Sequence, residues 1–203
     1  MAGHAFRNRK CRLACFWIGG KMQESEQYLE LIRRDPFLRA MLASYENVAG
    51  STAGKDVLDY GCGYGWGSYL LSCHCRRVTA YDPDQERIEF ASRVFSRKNI
   101  HFISEEACLS GKYYDLICLF MVLHNIRDCE DILIHLPGYL NPGGMIMFSY
   151  KSTYRALVPV LDQWACDCGF TLAHSSHRYL SDEESVEERC YYKNRDEEWF
   201  YAL

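Results

Sequence analysis

The sequence predicts an α/β protein: one seven-stranded, mostly parallel sheet with helices on both faces and an antiparallel strand at its C-terminal end. Three observations carry that expectation. Short apolar strand patterns alternate with helical ones from residue 56 to residue 169. A glycine cluster follows the first strand, where "DVLDYG" runs into "CGYGWGSYLL". Beyond Gly169, strand patterns succeed one another without a clear helix between them. Alternation with short connections implies parallel strands joined by right-handed crossovers. Unseparated final strands imply an antiparallel edge.

The elements follow in order. Residues 22–50 carry helical periodicity broken at Pro36, so two helices are predicted as a cap region within a single domain over 22–203. Strands are expected at 56–61, 77–82, 100–104, 114–120 and 145–150. Helices are expected between and after them, at 67–75, 85–97, 128–140 and 153–169. Asn141-Pro142-Gly143-Gly144 closes the third of these helices. The two closing strands are placed at 171–180 and at 198–203, "EWFYAL".

Composition narrows the class. A chain of 203 residues, 48% hydrophobic and 25% charged, suits one soluble globular domain. No apolar run approaches the roughly 20 residues of a membrane-spanning helix, so no membrane partner is expected. The net charge of −4 gives no electrostatic reason to expect nucleic acid. Charge is uneven, however. Residues 1–21 hold Arg7, Arg9, Lys10, Arg12 and Lys21 without an acid, and read as a disordered basic tail or a targeting segment. The acidic stretch "SDEESVEER" near the other end reads as a solvated loop.

Eleven cysteines are many, yet the chain is too core-rich for a disulfide scaffold. Cys118 and Cys166 fall inside predicted elements and Cys62 directly after one, where free cysteine packs as a small hydrophobe. The pairs Cys73/Cys75 and Cys166/Cys168 have C-x-C spacing, which is not that of a zinc site, so no metal is expected. Reduced thiols imply a cytoplasmic setting.

Glycine between strand and helix permits positive φ and leaves no Cβ between backbone and ligand. A dinucleotide fold would require G-x-G-x-x-G. Counting from Gly61 the last glycine falls on Trp66, and from Gly63 on Ser68, so neither frame matches. The pattern present is hydrophobic-hydrophobic-Asp-x-Gly-x-Gly-x-Gly, from Val57 to Gly65. Here the chain resembles the class I S-adenosylmethionine-dependent methyltransferases, which have a Rossmann-like fold. "AYDPD" is similar to that family's second motif, "YYDLICLFMVLHNIRD" to its fourth-strand motif and "LPGYLNPGG" to its loop before the fifth strand.

The resemblance implies S-adenosylmethionine as cofactor. Gly61, Cys62, Gly63 and Gly65 would form the loop against its methionine and ribose portion, with Asp59 ordering that loop near the amino-acid end. Asp82 would accept hydrogen bonds from both ribose hydroxyls, Pro83 would lie along the adenine, and Leu119 belongs to the fourth-strand motif. The third motif departs from the family's Gly-Asp-Ala turn: "FISEEACL" puts Glu106 at the acidic position and Ala107 after it. Glu105 stands where a small residue is usual, which leaves the adenine contacts less defined than the ribose contacts.

A sulfonium methyl is already activated, so the chemistry demands positioning of an acceptor and no enzyme nucleophile. High-pKa oxygen acceptors need deprotonation, and His124 is the candidate base, with a loop-bracing histidine as the alternative. The family's second histidine is Asn125 here. Tyr28, Phe37 and Tyr45 could close over the cofactor or belong to the core. His174 and His177 fall on an edge strand. The expected acceptor is a small molecule, methylated at oxygen or nitrogen. A protein or RNA acceptor and a non-catalytic binding subunit are the alternatives, and the oligomeric state is left open.

Overall fold

A computed structural model describes residues 24–123, 129–180 and 185–194. Two helices lead the chain, α1 (Glu24–Arg34) and α2 (Pro36–Ala49). Pro36 does not merely interrupt one helix. It opens the second, with the Asp35 carboxylate accepting the N–H of Leu38 at 2.8 Å. Proline suits a first turn because its missing N–H would have had no partner there.

Then come β1 (Asp56–Tyr60), α3 (Trp66–Ser72), β2 (Arg77–Tyr81), α4 (Gln85–Val94), β3 (Ile100–Ile103) and β4 (Tyr114–Phe120). They are followed by α5 (Cys129–His135), β5 (Leu140–Lys151), α6 (Leu157–Asp167), β6 (Phe170–Tyr179) and β7 (Ser185–Lys193). The strands form one sheet in the order β3-β2-β1-β4-β5-β7-β6. β1 to β5 pair in parallel, and β7 runs antiparallel between β5 and β6. The predicted α/β class, strand number and single reversed strand are therefore present.

β1 is buried along its whole length, as a central parallel strand covered on both faces must be. One apolar layer includes Leu29, Tyr45, Val48, Leu71 and Phe95 from α1 to α4 and their flanks. The other gathers Leu133 of α5 and Leu161 and Trp164 of α6 against Phe148 and Tyr191. Strand order reverses between β1 and β4, so a crevice opens beyond their carboxyl ends, where ligands bind in folds of this kind.

Three expectations need correction. The acidic stretch is not a solvated loop from Ser185 onward: it is the start of β7, and Glu187 and Glu188 are buried. The helix expected over 128–140 ends at His135, continues as a short 3-10 turn and gives way to β5 at Leu140. The final helix starts at Leu157, after a 3-10 turn at Ser152–Tyr154. The strand expected at 198–203, the basic tail at 1–21 and His124 lie outside the described residues.

Candidate active site

The crevice at the strand ends is a cavity of about 590 Å³, of the size that takes a small ligand. Its floor begins at the glycine loop. β1 ends at Tyr60, and the N–H groups of Gly61 and Cys62 both donate to the Tyr81 carbonyl at 2.7 and 2.8 Å, binding loop to β2. Here the four glycines separate into different roles. Gly63 lines the cavity with φ +55°, and a Cβ on it would meet nothing within 4 Å. That space is open to a ligand. Gly67 is the opposite case: a Cβ there would fall 2.2 Å from the ring of Tyr45. It lets α3 press against α2. Gly61 and Gly65 also serve close packing, against Val122 and against Ala91 and Phe102.

Asp82 follows β2 and lines the cavity at 4% exposure. Its Oδ2 accepts the N–H of Gly63 at 2.8 Å, and its Oδ1 accepts that of Asp84 at 3.0 Å. The α4 N-cap is not Asp82 but Asp84, which takes the N–H groups of Glu86 and Arg87. A carboxylate has about four acceptor sites. After two backbone bonds Asp82 keeps capacity for ligand hydroxyls, already aimed by the loop it holds.

Asp59 sits behind this surface. It is wholly buried, with Tyr45 Oη donating to Oδ1 at 3.0 Å and Ser68 Oγ to Oδ2 at 2.6 Å. One carboxylate thus ties α2 and α3 beneath the glycine loop. Burial pushes its pKa up to about 6, against the two hydrogen bonds and with help from the charge of Asp82. Because the folded-state value lies above the unfolded one, the folded protein binds the extra proton between about pH 4 and 6. Stability is lost as pH rises through that window. The cost at neutral pH is on the order of 3 kcal/mol. Asp59→Asn is therefore expected to gain on the wild type by up to about 3 kcal/mol in unfolding free energy between pH 4 and 7. Denaturant titration checks it; a difference independent of pH contradicts it.

Of the other predicted site residues, Gly61, Cys62, Pro83 and Glu106 line the cavity. Asp59, Gly65, Ala107 and Leu119 are not among its lining residues, and Leu119 is core. Glu106 holds the hydroxyl of Tyr60 at 3.0 Å, and burial together with that carboxylate keeps the Tyr60 phenol well above its usual pKa. Phe37 and Tyr45 line the cavity as expected of a cap, whereas Tyr28 packs its ring edge-on against Phe90. The sequence reading missed Tyr60, Tyr81, Arg87 and Met121. The first two stand directly before Gly61 and Asp82, which was the signal available. Met121 follows β4 with φ 60°, a conformation that non-glycine residues hold at a cost and that clusters at functional sites.

Part of the cavity lining is apolar: Phe37, Leu38 and Met41 from α2, with Phe120, Met121 and Ile132. Among the described residues no group of three or more His, Cys, Asp or Glu is placed to hold a metal ion. No described helix is long and apolar enough to cross a membrane. Cys62, Cys75 and Cys118 are buried free thiols, whereas Cys166, expected to pack inside its helix, is exposed.

A sheet with this order, a glycine loop after its central strand and an acid closing the next define a methyltransferase-type domain. The chain belongs to the methyltransferase-domain family, whose model matches residues 32–190. It is 30% identical over 106 residues to a protein of Mycolicibacterium smegmatis named as a probable S-adenosylmethionine-dependent methyltransferase. That match covers 52% of this chain and 41% of the relative. A ubiquinone biosynthesis O-methyltransferase of Coxiella burnetii is 29% identical over 101 residues, 47% of this chain and 43% of its own. The match thus spans about two fifths of the length of these relatives. In fold, the chain resembles the N-methyltransferase NodS of Bradyrhizobium japonicum, solved with S-adenosylhomocysteine. The TM-score is 0.66 at 20% identity, covering 84% of this chain and 99% of that one. A tRNA m1G37 methyltransferase of M. jannaschii is also among the solved structures of similar fold.

Proposed function

We propose that the cavity binds S-adenosylmethionine and that the protein transfers its methyl group to an oxygen or nitrogen of a small, largely apolar acceptor. The observation that carries this reading is the pairing of Gly63 with Asp82. A backbone position with open space where a side chain would stand is held by the very carboxylate that a ribose diol would meet. The charge fits as well, since Asp82 and the Asp59 behind it favour a cationic ligand. The name of the Mycolicibacterium smegmatis relative supports the same cofactor.

The cofactor supplies a methyl group already activated on sulfur. The protein's part is then to bind, orient and exclude water. Asp82 and the loop fix the ribose end. Phe37, Met41, Phe120 and Met121 shield the other end, where an apolar acceptor loses little on leaving water. His124 is the proposed general base for an acceptor that must lose a proton.

Incubation with S-adenosylmethionine labelled in its methyl group tests this, with 1-naphthol, catechol, benzylamine and total tRNA as acceptors. Label on the small arenes or the amine is expected. Label on tRNA alone would replace the acceptor assignment, and label on none would remove it. With a working acceptor, His124→Ala is expected to lower turnover about 10²-fold while S-adenosylhomocysteine affinity holds.

A further inference from the structure

The acidic stretch that folds as β7 leaves one carboxylate between the cap and the sheet. Glu188 is 3% exposed. From α2, Ser44 Oγ donates to its Oε1 at 2.5 Å and Asn47 Nδ2 to its Oε2 at 3.4 Å. From β6, Arg178 Nη1 donates to Oε1 at 3.3 Å and Ser176 Oγ to Oε2 at 3.1 Å. The same Arg178 nitrogen donates to the Ala40 carbonyl at 2.9 Å. One carboxylate and one guanidinium thus join a helix near the start of the chain to strands near its end.

Stability does not ask for this arrangement. A buried ion pair is often no better than apolar packing of the same volume, and α2 packs that way elsewhere, through Leu42 and Val48. Directional bonds give something apolar contact does not: they fix how far a helix has slid and turned. Ala40, Ser44 and Asn47 form one stripe along α2, and Phe37, Met41 and Tyr45 another, about 90° further round at ~100° per residue. The first stripe is the held one. The second lines the cavity. A rigid helix cannot shift one without the other.

The polar seam also runs on toward the cavity. Ser149 lies directly opposite Glu188 in the β5–β7 ladder, buried, its hydroxyl without a hydrogen-bond partner among the described residues. Its carbonyl accepts the N–H of Met121, the strained residue on the cavity wall.

We propose that Glu188, with Arg178 as its counter-ion, is the positioning residue that seats α2 in register over the cavity. The proposal rests on that cavity being the cofactor site, and its test has an arm that does not. Ser44→Ala removes the α2 donor and leaves the Glu188–Arg178 pair in place, so this variant is expected to fold; Glu188→Gln removes the charge itself.

Amide hydrogen exchange on the full chain is expected to speed about tenfold or more over residues 36–49 in Ser44→Ala, with β1 and β4 still protected. Affinity for S-adenosylhomocysteine by calorimetry is expected to fall about three- to tenfold, and further in Glu188→Gln. A merely structural role predicts a lower melting temperature and faster exchange everywhere, with affinity unchanged, and that result overturns the proposal. Unchanged exchange over α2 overturns it too. If the wild type binds no S-adenosylhomocysteine, the cofactor assignment fails, and the exchange pattern alone decides whether the seat exists.

Discussion

Asp82→Ala is expected to weaken binding of S-adenosylhomocysteine by about 10- to 150-fold, the loss of roughly 1.5–3 kcal/mol for hydrogen bonds to a charged group. Two losses combine. The ribose hydroxyls lose their acceptor, and the Gly63 N–H loses the oxygen that holds it at 2.8 Å, so the loop relaxes as well. Asp82→Asn is expected to do little better, because an amide keeps one acceptor oxygen and sets a donor against one of two backbone N–H groups. The substitution reaches further. The Asp82 charge helps to raise the pKa of Asp59, so removing it is expected to move the pH window of Asp59 downward. Titration calorimetry measures the affinity; affinity within twofold of wild type in Asp82→Ala contradicts the assignment.

Gly67→Ala is expected to destabilise the fold although alanine is the better helix former by about 1 kcal/mol. The new Cβ would lie 2.2 to 2.5 Å from three ring carbons of Tyr45. That ring is itself held, edge-on to Trp66 and Phe120 and by its hydroxyl on Asp59. It cannot give way cheaply. Overpacking of this kind costs about 1–3 kcal/mol. In a domain of this size each kilocalorie is worth about 2–4 °C of melting temperature. Displacing Tyr45 also removes one of the two donors that Asp59 has. Gly63→Ala is the informative contrast. Its Cβ meets nothing, so it carries only the strain of a left-handed residue, about 1–2 kcal/mol. It does, however, stand where the ligand has to come. Cofactor affinity is expected to fall more than stability in Gly63→Ala, and stability more than affinity in Gly67→Ala. Thermal melts with calorimetry on both separate them; a raised melting temperature in Gly67→Ala would show that α2 yields.

The legible parts of this protein are those whose cause is local. Strand–helix alternation follows from neighbouring residues, and so did the sheet up to β5; a reversed strand was expected as well, but at 198–203 and not at Ser185–Lys193. Gly61 and Gly63 after β1, and Asp82 and Pro83 after β2, reached the cavity because each of these two turns is written in consecutive residues. Two features were hidden for one reason. Glu187 and Glu188 look like solvent-facing charge, and carboxylates are depleted in strands. Ser44 lies 144 positions from Glu188 and Arg155 lies 32 from Glu187, while Arg178, only 10 positions from Glu188, stands on the neighbouring strand β6. Only the folded sheet brings them together. Asp59 was read as a loop-ordering acid near the cofactor. That it also clamps α2 through Tyr45 depends on the cap helix lying across the sheet, which no local pattern states. Gly65 was grouped with the ligand glycines because spacing cannot say which side of a turn faces a cavity and which faces a helix.

The central claim is that the glycine loop and Asp82 form the seat of an S-adenosylmethionine-type cofactor and not of a dinucleotide. Titration calorimetry of the wild-type protein tests it most directly, with S-adenosylhomocysteine and NADH in parallel. The account predicts one saturable site for S-adenosylhomocysteine, weakened in Asp82→Ala, and no heat from NADH. Saturable binding of NADH with none for S-adenosylhomocysteine would contradict it.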